Sequence, residues 1–175
     1  MPATRQDLMA RFAALGIKTE TREHAPVFTV EEARALRGQI PGGHCKNLFL
    51  KDEKGALYLI VCLEDARIDL KAAPARIGSR RLSFGKPDLL IEVLGVEAGS
   101  VTPFGLINAA PGRIEVILDA RMMEEELLNY HPLKNDATTT IGAADLVTFM
   151  KSLGHDPRIL PLSEPQLQSA ERSAI

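Results

Sequence analysis

His44-Cys-Lys-Asn-Leu-Phe-Leu-Lys-Asp-Glu-Lys-Gly-Ala-Leu-Tyr-Leu-Ile-Val-Cys-Leu63 is the stretch that decides the fold. Two apolar runs, residues 48–50 and 57–61, flank the polar residues 52–55, and Gly55 can take the positive φ that closes a short hairpin. The second run is apolar at consecutive positions, which predicts a strand covered on both faces inside a sheet. With a period of two, Lys46 shares a side with Leu48 and Leu50, and Cys45, Asn47 and Phe49 share the other. An ammonium beside a packed face has two readings. It snorkels to water along its aliphatic stem, or it lines the mouth of a pocket and donates to an anionic or carbonyl oxygen.

Outside the hairpin, signals for helix and strand are interspersed without a regular βαβ rhythm. Thr4-Arg-Gln-Asp7 opens an amphipathic helix carrying Leu8, Phe12 and Leu15, which Gly16 ends. Residues 17–24 read as a short polar strand, and Thr29-Val-Glu-Glu32 is a second capping box that predicts a helix over 30–37. A helix from Asp69 to Ile77 has its start shifted by Pro74. Residues 81–84 read as a strand, and Pro87 begins a helix that Gly95 stops. Strands follow at 114–118, 127–131 and 138–141, and a last helix at 143–153 places Leu146, Val147, Met150 and Leu153 on one stripe. This pattern predicts an α+β fold with a mixed, mostly antiparallel sheet.

Bulk properties narrow the function. The 175 residues suit one domain, with 45% hydrophobic and 25% charged side chains and no apolar run of membrane-spanning length. Residues 1–11 lack an apolar signal core, and two cysteines without metal-ligand spacing predict a reducing, cytoplasmic setting with no metal and no cofactor. A net charge of −2 gives no global attraction to nucleic acid. Locally, however, the only charges between 70 and 87 are Lys71, Arg76, Arg80, Arg81 and Lys86. That is a face on which a polyanion could be met, or simply a set of solvated charges.

Two further stretches carry candidate chemistry. Gly99-Ser-Val-Thr-Pro-Phe-Gly-Leu-Ile-Asn108 is a rigid loop whose N–H groups could hold an oxygen that gains negative charge, although a tight structural turn uses the same residues. In Tyr130-His-Pro-Leu-Lys-Asn-Asp136, His131 could donate to a substrate hydroxyl, hold a water, or merely satisfy a nearby carbonyl. A Cys45–His44 nucleophile pair is rejected, because neighbouring residues of a strand point to opposite faces.

Taken in order, Cys45-Lys-Asn-Leu-Phe-Leu, Ile68-Asp-Leu-Lys71, Arg81-Leu-Ser-Phe84, the 99–108 loop and His131-Pro-Leu-Lys-Asn135 resemble the YbaK/prolyl-tRNA synthetase-associated superfamily, over about residues 20–162. The Lys-Asn-Leu-Phe-Leu and His-Pro-Leu segments look most like its freestanding ProXp-ala branch. The resemblance implies a twisted, partly closed sheet surrounded by helices and one editing domain over 1–162, while the residues over 163–175 read as a polar tail. It implies hydrolysis of the ester in mischarged Ala-tRNA(Pro), with the tRNA acceptor end and prolyl-tRNA synthetase as partners. Rival expectations are a deacylase for a cysteine or serine mischarge, and a tRNA- or synthetase-binding module without catalysis.

Carried onto this chain, the resemblance makes Lys46, Gly99, Gly105 and His131 the catalytic candidates. Substrate contacts fall to Asn47, Ser100, Val101, Thr102, Pro103, Asn108 and Asn135, with Val30, Phe49, Val101 and Leu133 as walls of a small pocket. Arg80 and Arg81 are candidates for the acceptor stem. An aminoacyl ester is already activated, so such a site needs positioning and oxyanion stabilisation more than a strong nucleophile.

Overall fold

Leu57–Leu63 forms strand β3, buried at every position, and it pairs antiparallel with β2, Gly43–Asp52, from Cys45↔Leu63 to Lys51↔Leu57. The turn between them is held by Asp52. Its Oδ1 accepts from the N–H groups of Lys54 (2.9 Å) and Ala56 (3.0 Å), and Gly55 closes the turn at φ +87°. The computed structural model describes residues 1–26 and 30–163, with only the backbone at Val30, Ala33 and Arg37. Thr29 of the second capping box and the tail beyond Ser163 therefore lie outside the described residues, as does the side chain of Val30.

β3 is central because β5, Glu115–Asp119, pairs with it in parallel on the other side. The sheet runs β1-β7-β6-β2-β3-β5-β8, with β4 also on β2. Here β1 is Thr19–Glu23, β4 Leu82–Phe84, β6 Leu127–Tyr130, β7 Ala137–Gly142 and β8 Arg158–Leu160. The pairs β1/β7, β6/β7, β2/β3 and β2/β4 are antiparallel; β2/β6, β3/β5 and β5/β8 are parallel. This is the mixed, mostly antiparallel sheet that the pattern predicts. β8 had no sequence signal: it is three residues long between prolines, and its parallel pairing with β5 defines it.

Alternation along β2 and β3 divides the interior in two. Phe49, Leu57, Leu59 and Val61 enter one cluster, with Leu8 and Phe12 of α1 (Arg5–Ala14), Leu90, Val93 and Leu94 of α4 (Pro87–Leu94), and Leu146, Phe149 and Met150 of α5 (Ala143–Ser152). Leu50, Tyr58 and Ile60 enter the other, with Ala73 and Ile77 of α3 (Ala73–Ile77). The remaining helix, α2, spans Val30–Arg37. Phe104 sits at the centre of the larger cluster, its ring edge-on to Phe12 (5.3 Å), Phe149 (5.7 Å) and Tyr130 (5.6 Å). That trio explains one difference in α5. The buried stripe includes Phe149, whereas Val147 and Leu153 are only half-buried.

Candidate active site

The fork in the sheet at β2 creates the site. On the edge opposite β3, β6 pairs with β2 only at Gly43 and His44, and β4 only from Leu50 to Asp52. Bonds from Glu64 N–H to the His44 carbonyl and from Asp52 N–H to the Ala56 carbonyl fix which residues of β2 bond β3. In that register they are His44, Lys46, Leu48, Leu50 and Asp52, so the odd-numbered residues turn N–H and C=O to the forked edge. Phe49 uses its carbonyl there to accept from Gly85 N–H (2.9 Å). Asn47, between the two partner strands, has no backbone partner among the described residues.

The Asn47 side chain adds to this. Its Nδ2 donates to the Val101 carbonyl (3.0 Å), which ties β2 to the glycine loop, and its Oδ1 is buried without a partner. An unpaired buried carbonyl oxygen costs about 1–3 kcal/mol. Among the described residues Asn47 thus leaves one backbone donor and one backbone acceptor unpaired at a break in the sheet, with the unpaired Oδ1 buried beside them.

Lys46 projects from the other face. The residue is half-buried, and its ammonium donates to the Ala66 carbonyl (2.5 Å), in the turn after β3. Strand alternation gives the contact with the 99–108 loop to Asn47, while the Lys46 ammonium is held by Ala66. An ammonium has three donors, and among the described residues one is engaged.

The loop contains two 3-10 turns, Ala98–Ser100 and Pro103–Asn108. Several of its N–H groups are already bonded: Ser100 to the Glu97 carbonyl (2.9 Å), Phe104 to Thr102 Oγ1 (3.2 Å) and Gly105 to the Thr102 carbonyl (3.1 Å). Gly105 is therefore no oxyanion donor, contrary to expectation. It is a glycine because a Cβ there would meet the Leu94 carbonyl oxygen at 2.9 Å. Asn108 is likewise structural, with Nδ2 on the Leu94 carbonyl (2.9 Å) and Oδ1 accepting from Ala3 N–H (2.7 Å). Phe49 is a core residue, its ring pressed so closely on Gly85 that a Cβ there would lie 2.3 Å away. Thr102 and Pro103 are buried in the turn. Gly99 is different. It is exposed, and a Cβ on it would meet only Asn135 Nδ2, at 3.7 Å.

Asn135 belongs to the third stretch, which the fold does bring to the loop. Ser100, Leu133, Lys134, Asn135 and Asp136 line one cavity of about 420 Å³; Lys46, Phe49 and Val101 do not. Leu133 is buried at φ +75°, a strained backbone that its N–H bond to the His131 carbonyl (2.9 Å) helps to hold. His131 Nδ1 lies 3.0 Å from the Ala137 carbonyl, which can only accept, so Nδ1 carries the proton and Nε2 presents a lone pair. Burial lowers its pKa from the ordinary 6.5, helped by His24, and the Ala137 bond and Asp136 oppose the shift. The imidazole is thus an acceptor near neutral pH.

The family model for the aminoacyl-tRNA editing domain matches residues 24–149, which hold all three stretches. The chain belongs to this family. Prolyl-tRNA synthetase associated domain-containing protein 1 of Bos taurus is 40% identical over 161 residues, covering 89% of this chain and 94% of its own length. The prolyl-tRNA editing protein ProX of Acetoanaerobium sticklandii is 35% identical over 159 residues, 90% of this chain and 97% of its own. A solved structure described as a candidate trans-editing enzyme for prolyl tRNA synthetase superposes with a TM-score of 0.70 at 20% identity, over 94% of this chain and 99% of that one.

Within this editing domain the cysteines are inert. Burial pushes both the Cys45 and the Cys62 thiol up to about 12, far from a thiolate nucleophile. His44 Nε2 is occupied 3.2 Å from the Ile40 carbonyl. Among the described residues no group of three or more His, Cys, Asp or Glu could hold a metal ion. Two features of the editing domain had no signal in the sequence. One is the Ala66 carbonyl that anchors Lys46. The other is Asp119, fully buried, with Oδ1 accepting from Leu162 N–H (2.9 Å) and Ser163 N–H (3.2 Å) and Oδ2 unpaired. Arg80 and Arg81 are exposed at the entrance to β4, and Arg80 N–H donates to Asp52 Oδ2 (3.2 Å).

Proposed function

We propose that the protein is a trans-acting aminoacyl-tRNA deacylase that hydrolyses the ester of Ala-tRNA(Pro). The observation that carries this reading is the polar set of Asn47 at the fork of the sheet, whose backbone N–H and C=O and side-chain Oδ1 have no partner among the described residues. An aminoacyl ester offers a carbonyl oxygen that becomes an oxyanion and an α-ammonium that needs acceptors. Asn47 N–H can donate to the first, and Asn47 C=O can accept from the second. Water adds to the ester carbonyl, the C–O bond to the terminal ribose breaks, and the ribose oxygen takes the proton. The products are alanine and tRNA. Lys46 serves as a charged donor to the ribose or phosphate with its remaining N–H groups, and neutral His131 accepts through Nε2 from a hydroxyl or water. The working unit is residues 1–162, and the names of the bovine and bacterial relatives support a link to prolyl-tRNA synthetase.

Alanine is the favoured side chain on physical grounds. A synthetase pocket separates one missing methylene by only about 1–3 kcal/mol, so a second, smaller site that rejects proline is needed. The test is side-by-side deacylation of Ala-, Ser-, Cys- and Pro-tRNA(Pro) by the purified chain. Rapid release from Ala-tRNA(Pro) with Pro-tRNA(Pro) spared is expected. Intact Ala-tRNA(Pro) with the enzyme in excess refutes the assignment, and faster release of serine or cysteine reassigns the substrate.

A further inference from the structure

Phe84 is 63% exposed on a strand only three residues long, and β4 pairs with β2 alone. A phenyl ring left in water at that position contributes little to folding. Phe84 is the last residue of the strand and Gly85 after it has no side chain, so nothing that follows directly in the chain covers the ring. The strand is nevertheless firmly seated: Leu82 is buried, Leu50 pairs with Phe84, and Gly85 presses on the Phe49 ring. Exposed Arg80, Arg81 and Lys86 lie within four residues of Phe84 in the chain, and half-buried Lys51 pairs with Ser83, so cations flank this edge strand, Lys51 and Arg81 on the face opposite the ring. The nearest acid in the pairing, Asp52, is buried and accepts from three backbone N–H groups, so it does not neutralise the strip at the surface.

An exposed aromatic ring on an edge strand flanked by exposed cations fits nucleic acid better than protein. Protein interfaces concentrate apolar residues and deplete lysine at their centres, whereas unpaired bases need one flat face with positive charge beside it for the phosphates. Its place in the fold agrees. Cross-strand partners share a sheet face, so Phe84 stands with Leu50, Leu48 and Lys46. Four residues of strand separate positions 46 and 50, about 13 Å at 3.3 Å per residue, the reach of a few nucleotides.

We propose that Phe84 is the stacking platform for an unpaired base near the acceptor end of the tRNA, with Arg80, Arg81 and Lys86 on the flanking phosphates. This rests on the deacylase reading for the identity of the nucleic acid. The test measures binding of uncharged tRNA(Pro) to wild type, Phe84→Ala, Phe84→Leu and Phe84→Trp, with thermal unfolding of each as a control. Stacking predicts a Kd about tenfold weaker for Ala and Leu, near wild type for Trp, with the salt dependence unchanged. Arg81→Ala should instead reduce the salt slope. Equal affinity of Phe84→Ala and wild type overturns the proposal, as does full recovery by Leu, which would make the contact merely apolar. So does loss of binding to prolyl-tRNA synthetase with tRNA affinity intact, which would make this a protein-docking surface. Deacylation of Ala-tRNA(Pro) by the wild type, run in parallel, reports separately on the deacylase reading.

Discussion

Two glycines of one loop do different work, and substitution separates them. A Cβ on Gly105 would lie 2.9 Å from the Leu94 carbonyl oxygen and 3.0 Å from Leu94 Cβ, so Gly105→Ala is expected to destabilise by about 1–3 kcal/mol, read from denaturant unfolding. A Cβ on Gly99 has only an ordinary contact with Asn135. Gly99→Ala should therefore unfold like wild type yet lose deacylation by tenfold or more, on the order of 1.4 kcal/mol, if its open face is where substrate lies. Normal activity in that variant would remove Gly99 from the site. The motif marked both positions in the sequence but not this division, because nothing in Gly99-Ser-Val-Thr-Pro-Phe-Gly105 shows that helix α4 packs against its second glycine. Asn47 was legible as a strand residue facing away from Lys46. Its unpaired edge was not, since that depends on where β6 ends and β4 begins.

At the scale of elements, the hairpin and the turn that leads into β4 share one carboxylate. Burial of Asp52 works against its charged form, but N–H donors from Arg80, Ala56 and Lys54, together with the Lys54 charge, outweigh it and hold the pKa below the ordinary 3.8. A depressed pKa contributes stability that is complete above the unfolded value and is lost as pH falls through the folded one. Thermal unfolding of wild type and Asp52→Asn should differ by a constant amount near neutral pH, with the gap closing below about pH 4. A gap independent of pH would mean that the carboxylate charge does not matter there. Asp7, in the capping box of α1, and Asp136, bonded to Arg5, are shifted in the same direction, so the N-terminal helix and the 131–136 loop should loosen in acid as well. The hairpin was readable from Asp52-Glu-Lys-Gly55 because turn chemistry is local. The bond from Asp52 to Arg80 was not, since it joins positions 28 residues apart.

At the scale of the molecule, one strand serves two half-sheets and leaves a break where they part. Local signals recovered the helices and most strands, because the Thr4 capping box, Gly95 and the consecutive apolar run of β3 act within a few residues. They could not supply strand order. Parallel neighbours such as β2 and β6, or β5 and β8, are distant in sequence, and a three-residue β8 carries no periodicity. The candidate site depends on that order more than on any motif, which is why Lys46 was legible as a candidate while its anchor on Ala66 and the role of Asn47 in reaching Val101 came only from the fold. The central claim is that an aminoacyl group binds at the break beside Asn47. The backbone amide resonance of Asn47 tests it, followed by NMR while a non-hydrolysable, amide-linked alanyl analogue of the tRNA 3′ end is added. A large shift at Asn47, with the bonded amide of Gly105 nearly still, is the predicted result; an Asn47 resonance unmoved at saturation would contradict it.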